Sequence, residues 1–323
     1  MARVLCITLN PALDLAFNLD ALVLGSVNRP TWAQLEAAGK GVNVARVLAG
    51  LGHDVTVSGF LGSDNDAPFQ LAFAKHALAD AFVRVPGETR INAKIAEQSG
   101  RVTDINGPGM PIDAKHLQAL IDTLDGELAS AMPPQAVVVA GSLPPGLSVD
   151  DFSALLSHLN ASGVPLWVDT SGPALNAAIA AHPAGVKPNE NELAEWAGED
   201  MASSDARLKA AKRLHESGIA NALISAGAEG VLWVNAQGAW HATPPKVTAT
   251  NTVCAGDTFV AGMLHGLLNQ QDAEQTLRFA TALSAEAVRH VGVGTPHAAD
   301  FDSLQQHTRI RRLDDTITEG ATL

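Results

Sequence analysis

Cysteine is scarce, basic residues are outnumbered, and long apolar runs are missing from the 323 residues. The two cysteines are Cys6, in an apolar strand-like run, and Cys254, beside a glycine motif. Their spacing implies neither a disulfide framework nor a zinc site. Lys and Arg number 21 against 34 Asp and Glu, a net charge of −13 that argues against a general nucleic-acid binder. No stretch approaches the ~18 apolar residues of a membrane span. The first apolar run meets Asn10-Pro11 too early for a signal peptide. A reducing cytoplasm is the expected setting. Two nucleotide signatures are also missing: the Walker Gly-Lys-Ser/Thr loop, and Gly-x-Gly-x-x-Gly after the first strand. No internal repeat or low-complexity segment is evident.

What is present is an ordinary globular composition, 46% hydrophobic and 17% charged. Apolar β-rich runs at 3–8, 55–60, 136–140, 164–169, 222–225 and 231–234 read as strands. Amphipathic segments near 42–51, 66–78, 113–129, 150–161, 204–217 and 258–269 read as helices. Ala136-Val-Val-Val-Ala140 is apolar on both faces, as a parallel strand covered by helices should be. Segments 13–35 and 83–106 break this alternation and read as strands of a small antiparallel sheet, a lid over the strand ends; ordinary surface hairpins are the alternative. The charged Arg309 to Asp315 cluster reads as a solvated tail.

Two glycine motifs carry chemistry. In Thr250-Asn-Thr-Val-Cys-Ala-Gly-Asp-Thr-Phe259, Val260, Met263, Leu264 and Leu267 recur at helical spacing. A helix starting at or near Asp257 aims unpaired N–H groups of Ala255, Gly256 and Asp257 outward at the positive end of its dipole. Such a terminus suits a phosphoryl group, with Asp257 beside it as a general base. Alternatively Asp257 only caps the helix, worth about 1 kcal/mol. The second motif is Ala37-Ala-Gly-Lys-Gly-Val-Asn-Val-Ala45. Gly39 and Gly41 permit close approach of backbone to a ligand, Lys40 brings a point charge, and Asn43 brings amide donors.

With these two motifs at opposite ends, the chain resembles the ribokinase-like sugar kinases of the PfkB family. The likeness runs from Thr8-Leu-Asn-Pro-Ala-Leu-Asp14 to about Gly294. Between them lie, in order, Thr89-Arg-Ile-Asn92, Gly141-Ser-Leu-Pro-Pro-Gly146, Val168-Asp169, Lys187-Pro-Asn-Glu-Asn-Glu192 and Ser225-Ala-Gly-Ala-Glu-Gly230. The resemblance implies a single three-layer α/β/α kinase domain over 1–323, with a mainly parallel central sheet and a small β-sheet lid. The Thr8 opening, the Gly39 turn and Thr89-Arg-Ile-Asn92 most resemble the bacterial branch that phosphorylates the 6-hydroxyl of fructose 1-phosphate with ATP. Related branches act on fructose 6-phosphate or tagatose 6-phosphate. A non-catalytic sugar-phosphate sensor is a further alternative, and the retained Asp257 and Glu192 speak against it.

The resemblance also distributes roles. Asp257 matches the base, and Ala255 and Gly256 the anion hole, with Cys254 replacing a usual glycine or alanine. That thiol would lie near the reacting phosphate, where oxidation or alkylation would block activity. Asp14 matches the carboxylate on the sugar hydroxyls, a turn aspartate being the alternative. Lys40 and Arg90 match the grip on the sugar phosphate, joined by Gly39, Asn43, Ser142 and the lid pair Asn28 and Arg29. Lys187, Asn189, Ser225, Gly227, Gly230 and Ser284 match the ATP side. Glu192 with Asn189 would organise Mg2+, unless these acids only furnish a helix's first turns. Asn251 stands where many relatives have an aspartate of a monovalent-cation site, and an amide is the weaker ligand, so potassium activation is not expected. Lid sheets that pair would make a homodimer.

Overall fold

The computed structural model describes residues 1–313. The first half contains strands β1 (Arg3–Thr8), β2 (Ala12–Leu19) and β3 (Trp32–Ala38), helix α1 (Lys40–Gly50), β4 (Asp54–Gly62), α2 (Ala67–His76) and β5 (Ala79–Val85). It continues with β6 (Ile91–Glu97), β7 (Val102–Ile105), α3 (Ala114–Leu128), β8 (Ala136–Ala140) and α4 (Val149–Ala161). Then come β9 (Leu166–Asp169), α5 (Pro173–Ala180), β10 (Gly185–Val186), α6 (Glu190–Ala197), α7 (Ser204–Glu216) and β11 (Asn221–Ser225). The chain closes with β12 (Val231–Asn235), β13 (Gly238–Thr243), α8 (Ala255–Leu268), α9 (Ala273–Ala287), α10 (Phe301–His307) and β14 (Arg309–Arg312).

Ten strands form the main sheet in the order β14-β13-β12-β11-β10-β9-β8-β1-β4-β5. From β11 to β5 every neighbouring pair is parallel; β12, β13 and β14 add an antiparallel edge. Alternate side chains of β8 enter opposite cores, Val138 with Phe259 and Leu283, Val137 and Val139 with Phe152 and Leu156. That double burial is why the strand is apolar throughout, and it fixes three layers. No described helix is long and apolar enough to cross a membrane.

Strand β1 pairs with β4 on one side and β8 on the other. Connections therefore leave the C-terminal ends of β1 and β8 in opposite directions, opening the crevice where sheets of this kind bind ligands. A second sheet, ordered β3-β2-β6-β7, stands beside that crevice.

Three expectations change. The small sheet is mixed: β2 pairs antiparallel with β3 and β6 with β7, but β2 and β6 run parallel. Its strands do not fill the expected segments either. Residues 20–31 are largely a loop, and 83–85 belong to β5 of the main sheet. The C-terminal basic cluster is edge strand β14 on β13, so Arg309 to Arg312 are paired rather than a free tail; Asp314 and Asp315 lie outside the described residues. Three arginines on an exposed edge strand also discourage pairing with other chains.

Candidate active site

Two helix N-termini converge at the crevice. Helix α1 begins against the end of β1, and only glycine allows it. A Cβ on Gly41 would lie 2.4 Å from Thr8 Oγ1, and one on Gly39, at φ 135°, 2.8 Å from Thr8 Cγ2. Helix α8 begins at Ala255, earlier than the periodicity indicates, with Cys254 as its cap residue and no side-chain cap. Asp257 is thus the third helical residue, and the capping alternative is excluded.

Its carboxylate is 3% exposed and accepts one hydrogen bond, from Asn43 Nδ2 to Oδ2 at 2.8 Å. Burial raises the pKa of Asp257 to about 6, with Lys40, Asn43 and Lys187 pulling the other way and Asp169 adding to the rise. Among the described residues, the N–H groups of Gly256 and Asp257 have no partner, whereas that of Ala255 reaches Thr252 O at 3.3 Å. The free donors at this terminus are therefore Gly256 and Asp257, whereas Ala255 of the expected pair already has a backbone partner.

Lysines face this terminus. A Cβ on Gly256 would lie 3.4 Å from Lys187 Nζ, so that ammonium stands beside the first turn of α8. Lys187 and Lys40 share Asp169 Oδ1, at 3.6 and 3.3 Å. Lys187 and Asp169 are almost fully buried, while the Lys40 side chain stays 40% exposed. Asp169 is the main cause of a raised Lys40 pKa. Burial alone would raise the Asp169 pKa, but Lys187 and Lys40 together hold it below the ordinary value. Its Oδ2 is buried without a hydrogen-bond partner. Asp169 was legible as an acid ending a buried strand and as part of the ordered motifs; its meeting with two lysines was not.

On the small sheet, Asp14 sits in β2 and not in a turn. Asn92 Nδ2 donates to its Oδ1 at 3.0 Å, and Lys94 Nζ lies 3.5 Å from its Oδ2. Burial raises its pKa, countered by Lys94 and Asn92. Asp14, Lys94, Asn43, Arg46, Asn251 and Cys254 line one cleft between the small sheet and the α8 terminus. Lys94 and Arg46 carry no motif signal beyond their places beside Asn92 and Asn43, and sequence reasoning passed over both. Arg46 Nε is buried there without a hydrogen-bond partner.

Other expected residues make contacts of their own. Arg90 donates to Gly107 O and Asn10 O, both at 2.8 Å, and to Pro11 O at 3.3 Å, tying the small sheet to the loop after β1. Ser142 meets Asn10 Nδ2 at 3.3 Å in that same loop cluster. Asn28 folds onto its own exposed loop, bonding Val23 and Ser26, and Arg29 is exposed. Burial, then Asp257, pushes the Cys254 thiol up to about 12, which makes it a poor nucleophile rather than a reactive one.

The remaining residues surround α6. Asn189 Oδ1 accepts from Asn191 N and Glu192 N at 2.9 Å each, and Glu192 Oε2 accepts from Asn189 N at 2.8 Å, a reciprocal capping box. Asn189 bridges to Ser225, after which Gly227 and Gly230 bound a tight turn. Ser284 donates to Ala255 O at 3.0 Å, packing α9 on α8.

The model of the pfkB family of carbohydrate kinases matches residues 7–299. The chain belongs to that family. This kinase is 43% identical over 315 residues to a 1-phosphofructokinase of Vibrio cholerae, covering 98% of both chains. It is 44% identical over 292 residues to the 1-phosphofructokinase of Escherichia coli K12, covering 90% of this chain and 93% of that one. Among solved structures, phosphofructokinase-2 of Escherichia coli in complex with substrates and products superposes with a TM-score of 0.87 at 29% identity, covering 94% and 98% of the two chains. It is an ATP-dependent sugar-phosphate kinase with the ribokinase-like fold.

Proposed function

We propose that this kinase transfers the γ-phosphate of ATP to the 6-hydroxyl of fructose 1-phosphate, giving fructose 1,6-bisphosphate. The observation that carries the chemistry is the buried Asp257 beside unpaired helix amides and two lysines. The substrate rests on the full-length likeness to 1-phosphofructokinases.

Asp257 takes the proton from the 6-hydroxyl as the O6–P bond forms and the bond to the ADP oxygen breaks. A base with a pKa about 6 is ionised at neutral pH yet basic enough to help. The Gly256 and Asp257 amides hold the transferring group, and Lys40 and Lys187 balance its charge. Positioning and charge stabilisation do most of the work in such transfers. Asp14, hydrogen-bonded by Asn92 and paired with Lys94, orients the sugar hydroxyls. Asn43 aims the base.

Magnesium bound with ATP supplies charge neutralisation on the phosphates. The donor set fits an ion that keeps most of its waters. No cluster of three or more candidate ligands exists among the described residues. Glu192 nevertheless keeps one oxygen outside the capping box, Asp169 Oδ2 is buried without a partner, and the charges of both acids act on Lys40. Asn189 spends its amide oxygen on the helix, so Glu192 and Asp169 are the better holders.

The small sheet acts as the lid and as a dimer interface. Odd-numbered positions of β2, β3 and β6 face away from the cleft-lining Asp14, Gln34, Glu36 and Lys94. Among them, Leu15, Phe17, Ala33, Leu35, Ile91, Ala93 and Ile95 form an apolar patch, with Leu35 and Ile91 nearly half exposed. An apolar face of this kind fits a second copy of the same sheet.

The decisive test is ADP release with Mg-ATP and fructose 1-phosphate, fructose 6-phosphate or tagatose 6-phosphate. A preference for fructose 1-phosphate of about a hundredfold in kcat/KM, roughly 2.7 kcal/mol, is expected. A preference for either 6-phosphate overturns the substrate while keeping the chemistry.

A further inference from the structure

Helix α7 carries an arginine that catalysis does not use. Arg207 is 5% exposed, and burying a guanidinium is costly unless it is paired. Nη1 donates to Met201 O at 3.1 Å and Ala202 O at 3.3 Å, and lies 3.8 Å from Glu190 Oε2. Nη2 bonds Glu229 Oε2. Glu190 and Glu229 are themselves 44% and 66% exposed, and Arg207 and Glu229 line a small cavity beside the turn.

The two acids belong to two different loops. Glu190 opens α6, directly after Asn189 and two residues before Glu192. Glu229 closes the tight turn that Gly227 and Gly230 bound. Apart from the Asn189–Ser225 bridge, little backbone pairing joins these loops. The turn is braced from its other side as well. His241 Nε2 approaches Glu229 O at 3.0 Å and, facing an oxygen that only accepts, must carry its proton on Nε2. Gly230 packs so closely on β13 that a Cβ would lie 1.9 Å from Ala242 O.

We propose that Arg207 is a positioning residue for ATP: its fork sets the separation between the α6 terminus and the Gly227–Glu229 turn. The proposal rests on the reading of these two loops as the nucleotide side. A planar fork suits this task better than a lysine, since it hydrogen-bonds one acid and two carbonyls in fixed directions while keeping Glu190 within ion-pair range. Neither acid needs to touch the nucleotide. Their effect is on where Asn189, Glu192 and the turn amides stand.

The test is calorimetric titration of β,γ-imido-ATP and, separately, of fructose 1-phosphate into the wild type, Arg207→Met, Arg207→Lys, Glu229→Ala and the Arg207→Met/Glu229→Ala double variant. Glu229→Ala alters an exposed side chain and keeps the question open if Arg207→Met does not fold. We expect a loss of about tenfold in nucleotide affinity for Arg207→Met and Glu229→Ala, non-additive in the double variant as for groups in direct contact, and partial recovery in Arg207→Lys. Sugar-phosphate affinity should stay within about twofold. Unchanged nucleotide affinity in both single variants overturns the proposal, as does an equal loss for both ligands alongside a lowered Tm. Failure of the wild type to bind the nucleotide analogue would instead overturn the nucleotide-side reading itself.

Discussion

Asn43 Nδ2 donates to Asp257 Oδ2 at 2.8 Å, joining two helix N-termini that lie 214 residues apart in the chain. This single bond orients the proposed base and lowers its pKa against the larger effect of burial, which raises it to about 6. Asn43→Ala should therefore move the acid limb of the kcat/KM profile from near pH 6 to higher pH and lower the plateau. An unshifted limb would count against Asp257 as the titrating base.

Asp257→Asn should lose about 10²–10⁴ in kcat. It should also stabilise the fold at pH 8. The folded pKa of Asp257 lies above its unfolded value of about 3.9, so its charge disfavours the folded state increasingly as pH rises through the window up to about 6. Urea melts of both proteins at pH 4 and pH 8 check this: the variant's advantage should grow with pH, to at most about 3 kcal/mol.

Asp169→Asn leaves two ammonium groups beside a neutral amide. Breaking a buried pair from one side costs about 3–5 kcal/mol, and a loss in that range is expected in urea melts. Turnover should fall with it, because Lys40 and Lys187 lose their common anchor. Wild-type stability in this variant would show that the lysines are placed by something else.

Cys254 should resist modification. With a pKa pushed up to about 12, its thiolate fraction near neutral pH is on the order of 10³-fold below that of a free cysteine. Intact-mass analysis after iodoacetamide treatment of the native enzyme should find it unmodified, and Cys254→Ala should stay active. Rapid inactivation accompanied by a single adduct at Cys254 would reverse that expectation.

Leu35→Glu places a charge on the outer face of the small sheet, away from the cleft. Light scattering coupled to gel filtration should report a dimer for the wild type and a monomer for the variant. A monomeric wild type removes the interface.

His53 gives the fold an acid sensitivity distant from the site. It accepts from Ala2 N through Nδ1, and its Nε2 lies 2.9 Å from His265 Nδ1. Burial, then the His265 charge, lowers its pKa to about 4. The unfolded chain binds this proton near pH 6.5, so the stabilisation is complete above that pH and is lost as pH falls toward 4. The difference in melting temperature between wild type and His53→Leu should shrink steadily across that window. A constant difference would mean that His53 does not titrate there.

The sequence by itself determined the layers and the two glycine motifs. Val137 to Val139 must be covered on both faces because all three side chains are apolar. Gly39 and Gly41 announce a helix pressed on its neighbour, and Val260, Met263 and Leu264 announce the helix that bears Asp257. These are local facts, written in spacing and in the steric needs of single residues. Tertiary structure alone decided which charges share a site. Nothing near Asp169 in sequence signals two lysines 129 and 18 residues away, and nothing near Arg90 signals the three carbonyls it joins. Asp257 likewise has an ordinary carboxylate's acidity until folding removes water from it. Proton affinity and charge pairing depend on distance through space and on the surrounding dielectric, and chain order specifies neither.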